Sequence, residues 1–465
     1  MNLMVLGCTS NAGKSLLVTG LCRWFARQGV KVAPFKAQNM SNNARVVDGG
    51  EIGVAQWLQA RAAGVEPTVH MNPVLLKPEA DTRSQVVVHG VARPDLTDVP
   101  WMDRGRHLWP PMVESFDEVA NAYDLVIIEG AGSPAEINLP DLVNNKMLEY
   151  ADARALLAVD IDRGGAFAHL YGTWALVPDT TRERLAGYVL NKFRGDASLL
   201  SPAPELITER TGMPNIGVLP MLHHELPDEE GATIRARPVV DSSASPLLNV
   251  VIVRYPFGSN LDEWHLLPHA AHVRWATRGA ELRDADLIVL PGSKHVAADA
   301  AWMRERGFAE ALAAAAAAGT RIVGVCGGAM MLGERIEDPH GVEGATVGFA
   351  LLPLRTEMAA TKTTEATTVS FPAMSAPWAA LAGATVQGYE IRHGQVHGPE
   401  CGITTTVWAV DNVMATTVHG LFEDSNFVQA VCGIRPAAVL HETFDVLADA
   451  IDEHLDTALL HRLSR

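Results

Sequence analysis

The chain is short of basic charge. Its 465 residues carry 37 Lys and Arg against 54 Asp and Glu, a formal net charge of −17. A general nucleic-acid binder needs basic patches that neutralise phosphates, so no nucleic-acid partner is expected. Anionic small substrates stay open, because local Lys and Arg can hold them inside an acidic protein. Cysteine is scarce too: Cys8, Cys22, Cys326, Cys401 and Cys432 are widely spaced, odd in number and include no C-x-x-C pair. Neither a zinc site nor a disulfide framework is expected, and a reducing cytoplasm is the natural compartment. Long apolar runs are missing as well. The Ala-rich stretch Ala309–Ala318 is interrupted by Glu310 and stopped by Gly319, well short of the roughly 20 apolar residues of a membrane span. The start MNLMVLGC offers no basic residue and too short a run before Gly7-Cys8 for a signal peptide. No membrane partner is expected.

What is present is an ordinary globular composition, 48% hydrophobic and 20% charged. The length exceeds one core of ~100–200 residues, so two or three domains are expected. In the first half, short continuous apolar runs alternate with helical patterns: Leu3–Leu6, then the helical Ser15–Gln28, then Lys31–Pro34, Leu125–Glu129, Ala155–Asp160, Gly187–Asn191 and Ile216–Pro220. Continuous runs of this kind are buried parallel strands, and the alternation predicts a doubly wound, mostly parallel α/β sheet. Polar, Pro- and Ser-rich sequence over 227–246 reads as a linker between a domain at 1–226 and another at 247–465. The second series has strands at Leu248–Arg254, Leu287–Pro291, Arg321–Cys326 and Val413–His419.

Gly7-Cys-Thr-Ser-Asn-Ala-Gly13-Lys14-Ser15 stands between a predicted strand and a predicted helix, the context a phosphate loop requires. Backbone N–H groups and the helix dipole there favour an anion. Lys14 would reach the terminal phosphates of ATP and Ser15 would ligate Mg²⁺. The first glycine is displaced by one position, to Gly7, with Cys8 where it is normally found; Cys8 reads as a small buried residue. Glu129, at the end of another strand, is the candidate metal-binding carboxylate. Asp160 and Asp162, in DIDRGG, either face a ligand or cap the next helix. Asn191 either hydrogen-bonds an adenine edge or serves a turn.

Gly324-Val-Cys326-Gly-Gly328 follows a strand and opens a helix, the cysteine form of a nucleophile elbow. A helix N-terminus behind the sulfur favours a thiolate. Gly327 N–H is placed for an oxyanion, with a second donor from the turn at Gly292. The base is His419, at a predicted strand end; His393, read as a loop residue, and His397 compete. A Glu two residues after the His would orient the ring, but that position is Leu421, and Glu423 is the next acid along.

With these motifs in hand, the segments PFKAQNMSNNA, GGEIGVAQ, MNPVLLKPEADTRSQVVVHG, EGAGSPAEINL, DIDRGGAFA and NKFRGD resemble the cobyric acid synthases. So do RYPFGSNLDEW, PGSKHVAADAAW, GVCGGAMMLG and GYEIRHG. The resemblance covers essentially the whole chain. It implies a phosphate-loop domain similar to dethiobiotin synthetase plus a class I glutamine amidotransferase-like α/β domain. By that similarity Thr9, Asn11, Ala12, Gly13, Lys14, Ser15, Lys36 and Asn191 bind ATP, and Ser15, Glu51 and Glu129 hold Mg²⁺. The implied reaction is amidation of the b, d, e and g carboxylates of adenosylcobyrinic acid a,c-diamide, with glutamine as nitrogen donor and a corrinoid as acceptor; a homo-oligomer is compatible with it. Val54, Ala329-Met330 and Arg392 depart from the family's usual Arg, Tyr-Gln and His, and only Ala329-Met330 is expected near a catalytic group. Two rivals remain: the related enzyme that amidates the a and c carboxylates, against which the QNMSNN segment speaks, and a nucleotide-switch protein of the chromosome-partitioning type, against which Cys326 in its elbow speaks.

Overall fold

The continuous apolar runs become the central strands of two sheets. The computed structural model describes residues 2–80, 83–222, 224–227, 247–398, 404–436 and 440–464. The first sheet holds β1 (Asn2–Gly7), β2 (Val32–Phe35), β3 (Leu125–Glu129), β4 (Arg154–Asp160), β5 (Leu185–Phe193) and β6 (Asn215–Pro220). Their order is β6-β5-β4-β1-β3-β2, and every neighbouring pair is parallel. All of β3 is buried, as a strand covered on both faces must be. Alternate residues of β1 feed the two faces: Met4 and Leu6 join one core, Leu3 and Val5 the other. The chain leaves β1 toward β2 on one side and later lays β4 on the other, so the end of β1 is the switch point where such sheets bind ligands. There the chain turns through Gly13, at φ 88°, into α1 (Lys14–Arg27). A second helix, α2 (Val54–Ala63), packs beside α1.

The second sheet holds β7 (Leu248–Val253), β8 (Ala271–Ala276), β9 (Leu287–Leu290), β10 (Arg321–Val325), β11 (Val407–Val410) and β12 (Val413–Thr416), in the order β8-β7-β9-β10-β12-β11. Its pairs are parallel except β11 with β12. β10 runs into Cys326 and the short helix α3 (Gly327–Leu332). An antiparallel hairpin of Arg355–Ser370 with Thr385–His397 stands beside this sheet. Its Thr-rich first strand lacks an apolar run, which hid it from a hydrophobicity reading, although Thr suits a half-exposed pleat. His393 therefore lies on a strand, not in a loop.

One domain assignment needs correcting. α4 (Leu440–His454) follows the second sheet in sequence but packs against α1 of the first domain. Phe444, Leu447, Ala448 and Ile451 are buried at helical spacing, and Phe444, Ala448 and Ile451 share a core with Leu3, Val5 and Leu17. Trp24 Nε1 donates to Asp452 at 2.5 Å and Arg23 pairs with Asp445 at 2.8 Å. The second domain thus ends before the C-terminal helices, which complete the first. Elsewhere the two domains meet at a small apolar patch, Ala44, Leu75 and Val87 against Tyr389 and Ile391, and through the ion pairs and hydrogen bonds described below. Cys401 and the linker residues 228–246 lie outside the described residues.

Candidate active sites

At the end of β1 the loop curls over the Lys14 side chain, whose Nζ donates to Gly132 O at 3.0 Å and Thr9 O at 3.4 Å. A Cβ on Gly7 would stand 2.9 Å from both Lys14 Nζ and Thr9 O, which explains a glycine at this displaced position. Cys8 is buried, and that burial pushes its thiol up to about 11, consistent with a packing residue. Opposite the loop stands Glu129, buried at the end of β3. Its Oε1 accepts from Ser15 Oγ and from Lys36 Nζ, each at 2.8 Å, and its Oε2 accepts from Gln59 at 2.5 Å. Burial opposes the charge on Glu129, and Lys36 with these donors carries it below the usual carboxylate range. Residues Ser15, Lys36 and Glu129 thus meet at one point although they come from three separate stretches of chain. The cavity they border holds about 950 Å³, and its far wall is Leu261, Asp262, His265 and His269 of the second domain.

Asn191 sits beside this loop and donates to Ala12 O at 2.9 Å, which ties the strand end of β5 to the phosphate loop. Lys192 does the same through Asn11 O, held by Asp160 at 2.9 Å. Neither Asp160 nor Asp162 caps the following helix, whose N-terminal residue is Gly165. Glu51 is not at the nucleotide cavity. Lys77 reaches its Oε2 at 2.6 Å and Lys362 its Oε1, so both oxygens are taken by lysines. Burial works against its charge, and the two lysines outweigh it, bringing the carboxyl down to about 2. The residue that the family resemblance placed at the metal belongs here to a buried ion cluster between the domains.

Cys326 adopts φ 50° and ψ −106°, a left-handed conformation rare for a residue with a side chain and typical of a strained elbow. A Cβ on Gly327 would lie 2.6 Å from Ser293 N, and one on Gly292 would lie 2.8 Å from His419 Cε1. Gly292–Ser293, expected as a turn, forms a two-residue strand paired with Gly258–Ser259 and is pressed between Cys326's helix and the histidine. His419 is buried, and Glu263 Oε1 stands 3.1 Å from its Nδ1. Glu263 Oε2 also accepts from Gly420 N at 2.9 Å, so both carboxylate oxygens are tied to the His419–Gly420 stretch. Burial disfavours the charged ring, yet the Glu263 carboxylate and the Cys326 sulfur overcome it and raise His419 to about 10. The acid that orients the base is thus neither Leu421 nor Glu423. It lies in the RYPFGSNLDEW segment, and the only available signal was an acid inside a quoted motif.

The pocket at Cys326 is lined by Met330, Lys294, Lys362, Arg392 and His393, with Lys77 arriving from the first domain. His393 Nδ1 faces Ala359 O at 3.0 Å, and burial lowers the ring to about 4, so it is a neutral wall residue rather than the base. Arg392 also departs from the expected residue type and lines this pocket, as Met330 does, while Val54 lines the nucleotide cavity. The departures therefore fall on both cavities, not only beside the elbow.

The comparisons match these two halves. A family model described as a CobQ/CobB/MinD/ParA nucleotide binding domain matches residues 3–230, and one described as a CobB/CobQ-like glutamine amidotransferase domain matches residues 249–427. A solved glutamine amidotransferase covers 43% of this chain and is itself 98% covered, at 16% identity and a TM-score of 0.29, a likeness too slight to carry an argument. A nucleotide-binding domain joined to a glutaminase domain defines a glutamine-dependent, ATP-binding amidating ligase. The chain is 51% identical to a cobyric acid synthase of Variovorax paradoxus (strain S110), over 99% of this chain and 98% of the relative. It is 50% identical to one of Paracidovorax citrulli (strain AAC00-1), over 98% and 97%. The chain belongs to the cobyric acid synthase family, amidating enzymes of cobalamin biosynthesis. No helix among the described residues is long and apolar enough to cross a membrane.

Proposed function

We propose that the protein amidates the b, d, e and g carboxylates of adenosylcobyrinic acid a,c-diamide, giving adenosylcobyric acid, with ATP as activator and glutamine as nitrogen source. The observation that carries this reading is the shared wall: the cavity of about 950 Å³ at Ser15, Lys36 and Glu129 is closed by the segment that also supplies Glu263 to His419. That volume is at the upper end of the ~300–1,000 Å³ of small-molecule clefts, which suits a nucleotide beside a large acceptor.

A carboxylate is a poor acyl donor because its leaving group would be oxide. Transfer of the γ-phosphoryl of ATP to a carboxylate oxygen forms an acyl phosphate and releases ADP. Lys14 and Lys36 offset the charge on the transferring group. Ser15 and Glu129 form an oxygen donor set that fits Mg²⁺, which when bound would neutralise phosphate charge. Ammonia then attacks the acyl carbon and inorganic phosphate departs, leaving the amide.

The nitrogen comes from the second site. Cys326 thiolate attacks the side-chain amide carbon of glutamine, and N–H groups at Gly327 and Gly292 receive the oxyanion. The His419 imidazolium gives its proton to the leaving nitrogen, releasing ammonia and leaving a thioester. Neutral His419 then takes a proton from water, which hydrolyses the thioester to glutamate and restores the thiolate.

The test is mass spectrometry of adenosylcobyrinic acid a,c-diamide incubated with ATP and glutamine. Four successive amidations are expected; an unchanged corrinoid sinks the reading. Cys326→Ala should abolish glutamine-driven amidation and spare ammonia-driven amidation, and loss of both together would overturn the separate-site mechanism.

A further inference from the structure

The His419–Glu263 pair is braced by a residue of the other domain. Arg45 lies on the strand Ala44–Val47, directly after the QNMSNN segment. Its side chain is only 5% exposed. Its guanidinium reaches three groups of the second domain: Asp262, Glu423 Oε1 at 2.6 Å and the Tyr389 hydroxyl at 3.0 Å. Each adjoins the catalytic pair. Asp262 directly precedes Glu263. Glu423 belongs to the turn Leu421–Glu423 that follows His419. Tyr389 exchanges both backbone hydrogen bonds with His419, at 3.1 and 2.8 Å, and its ring stacks on the imidazole with centroids 5.5 Å apart. Neighbouring backbone is tied in the same way: Ala44 N donates to Asn260 Oδ1, and Leu261 N to Asn43 Oδ1, both at 3.0 Å.

A buried charge cluster is weak evidence for stability, because desolvation consumes much of the attraction and apolar side chains would pack as well. Its directional bonds do something an apolar contact cannot, which is to fix orientation. We propose that Arg45 is a positioning residue of the glutaminase, acting from the ATP-binding domain through Asp262, Glu423 and Tyr389 to hold Glu263 and His419 in line with Cys326. The proposal rests on the reading of Cys326 and His419 as the glutaminase. It makes glutamine hydrolysis depend on docking against the amidating domain. Asp262 also borders the nucleotide cavity, so one short segment touches both sites.

The full chain is purified as wild type, Arg45→Met, Arg45→Lys, the double variant Arg45→Met with Glu423→Gln, and Cys326→Ala. Glutamate release gives kcat and KM, amidation is followed with glutamine and with ammonium, and thermal melts check folding. In Arg45→Met the glutaminase kcat should fall about 100-fold, the cost that a misplacement near 1 Å can carry. KM for glutamine should change little, ammonia-driven amidation should stay at the wild-type level, and Arg45→Lys should recover part of the loss. The double variant removes a cation and one of its anions together, so it relieves the buried charge if the single variant folds poorly. Wild-type glutaminase kcat in Arg45→Met, or equal loss of ammonia-driven amidation, overturns the proposal. So does the absence of a cooperative melt in both Met variants, which would make Arg45 a structural clamp. Glutamine-driven amidation surviving in Cys326→Ala would instead remove the glutaminase reading itself, whatever Arg45 does.

Discussion

Glu263 and His419 are 156 positions apart in sequence, yet the carboxylate lies 3.1 Å from the ring nitrogen and both groups are buried. The acid holds one tautomer and one ring orientation, which leaves Nε2 for the chemistry at Cys326. Glu263→Gln keeps the volume and removes the charge. Glutamine hydrolysis should fall by up to roughly 10⁴-fold, the loss known when a triad acid becomes an amide. Ammonia-driven amidation should be unaffected. Assaying both nitrogen sources on one preparation checks this, and equal loss of the two would count against the assignment.

Glu129 gathers Ser15, Lys36 and Gln59 around one carboxylate. Glu129→Gln should impair amidation with either nitrogen source by about 100-fold or more, since even an outer-shell carboxylate costs up to that much. Basal glutamine hydrolysis should persist. ADP release and glutamate release, measured separately, distinguish the two sites.

Asp299 accepts from Ser293 Oγ at 2.6 Å and from Phe257 N at 3.1 Å, and burial raises it to about 7. An unfolded Asp titrates near ~3.9. The folded state therefore keeps a proton that the unfolded state releases between about pH 4 and 7, so this group costs stability as pH rises through that window. Asp299→Asn removes the dependence. The variant should gain on the wild type from pH 5 to pH 8, by up to about 3 kcal/mol, since only the two units between pH 5 and pH 7 contribute at about 1.4 kcal/mol each. Melting curves of both proteins at the two pH values provide the measurement; a difference in Tm that does not change with pH would refute it.

Phe444 is fully buried beside α1. Phe444→Ala should destabilise the nucleotide-binding domain by about 3–5 kcal/mol. Denaturant unfolding should show the early transition to be the one that ATP shifts upward, because ligand binding stabilises only the domain that holds it. A transition insensitive to ATP would place the helix in the other core.

Much of the architecture was legible in local sequence. β1 and β3 announced themselves as continuous apolar runs, and the phosphate loop and the elbow each occupy one contiguous stretch. Short-range geometry dictates such units: glycine at Gly7 where a side chain would collide, a small residue beside Cys326 where the strand turns sharply. The hairpin at Arg355–Ser370 escaped because its Thr-rich pattern carries little hydrophobic signal. Glu51 misled for the opposite reason, since an acid in a motif looks the same whether it meets a metal or two lysines.

By itself, then, the sequence determined which residues can do chemistry: Lys14, Ser15 and Glu129 at one end, Cys326 and His419 at the other. Only the tertiary structure decided who supports them. Glu263 reaches His419, Arg45 reaches Asp262 and Glu423, and α4 returns to α1 through contacts between stretches far apart in the chain. Periodicity tells a helix which face to bury but not against which core. Nor does it tell a carboxylate which of many distant partners will share its burial.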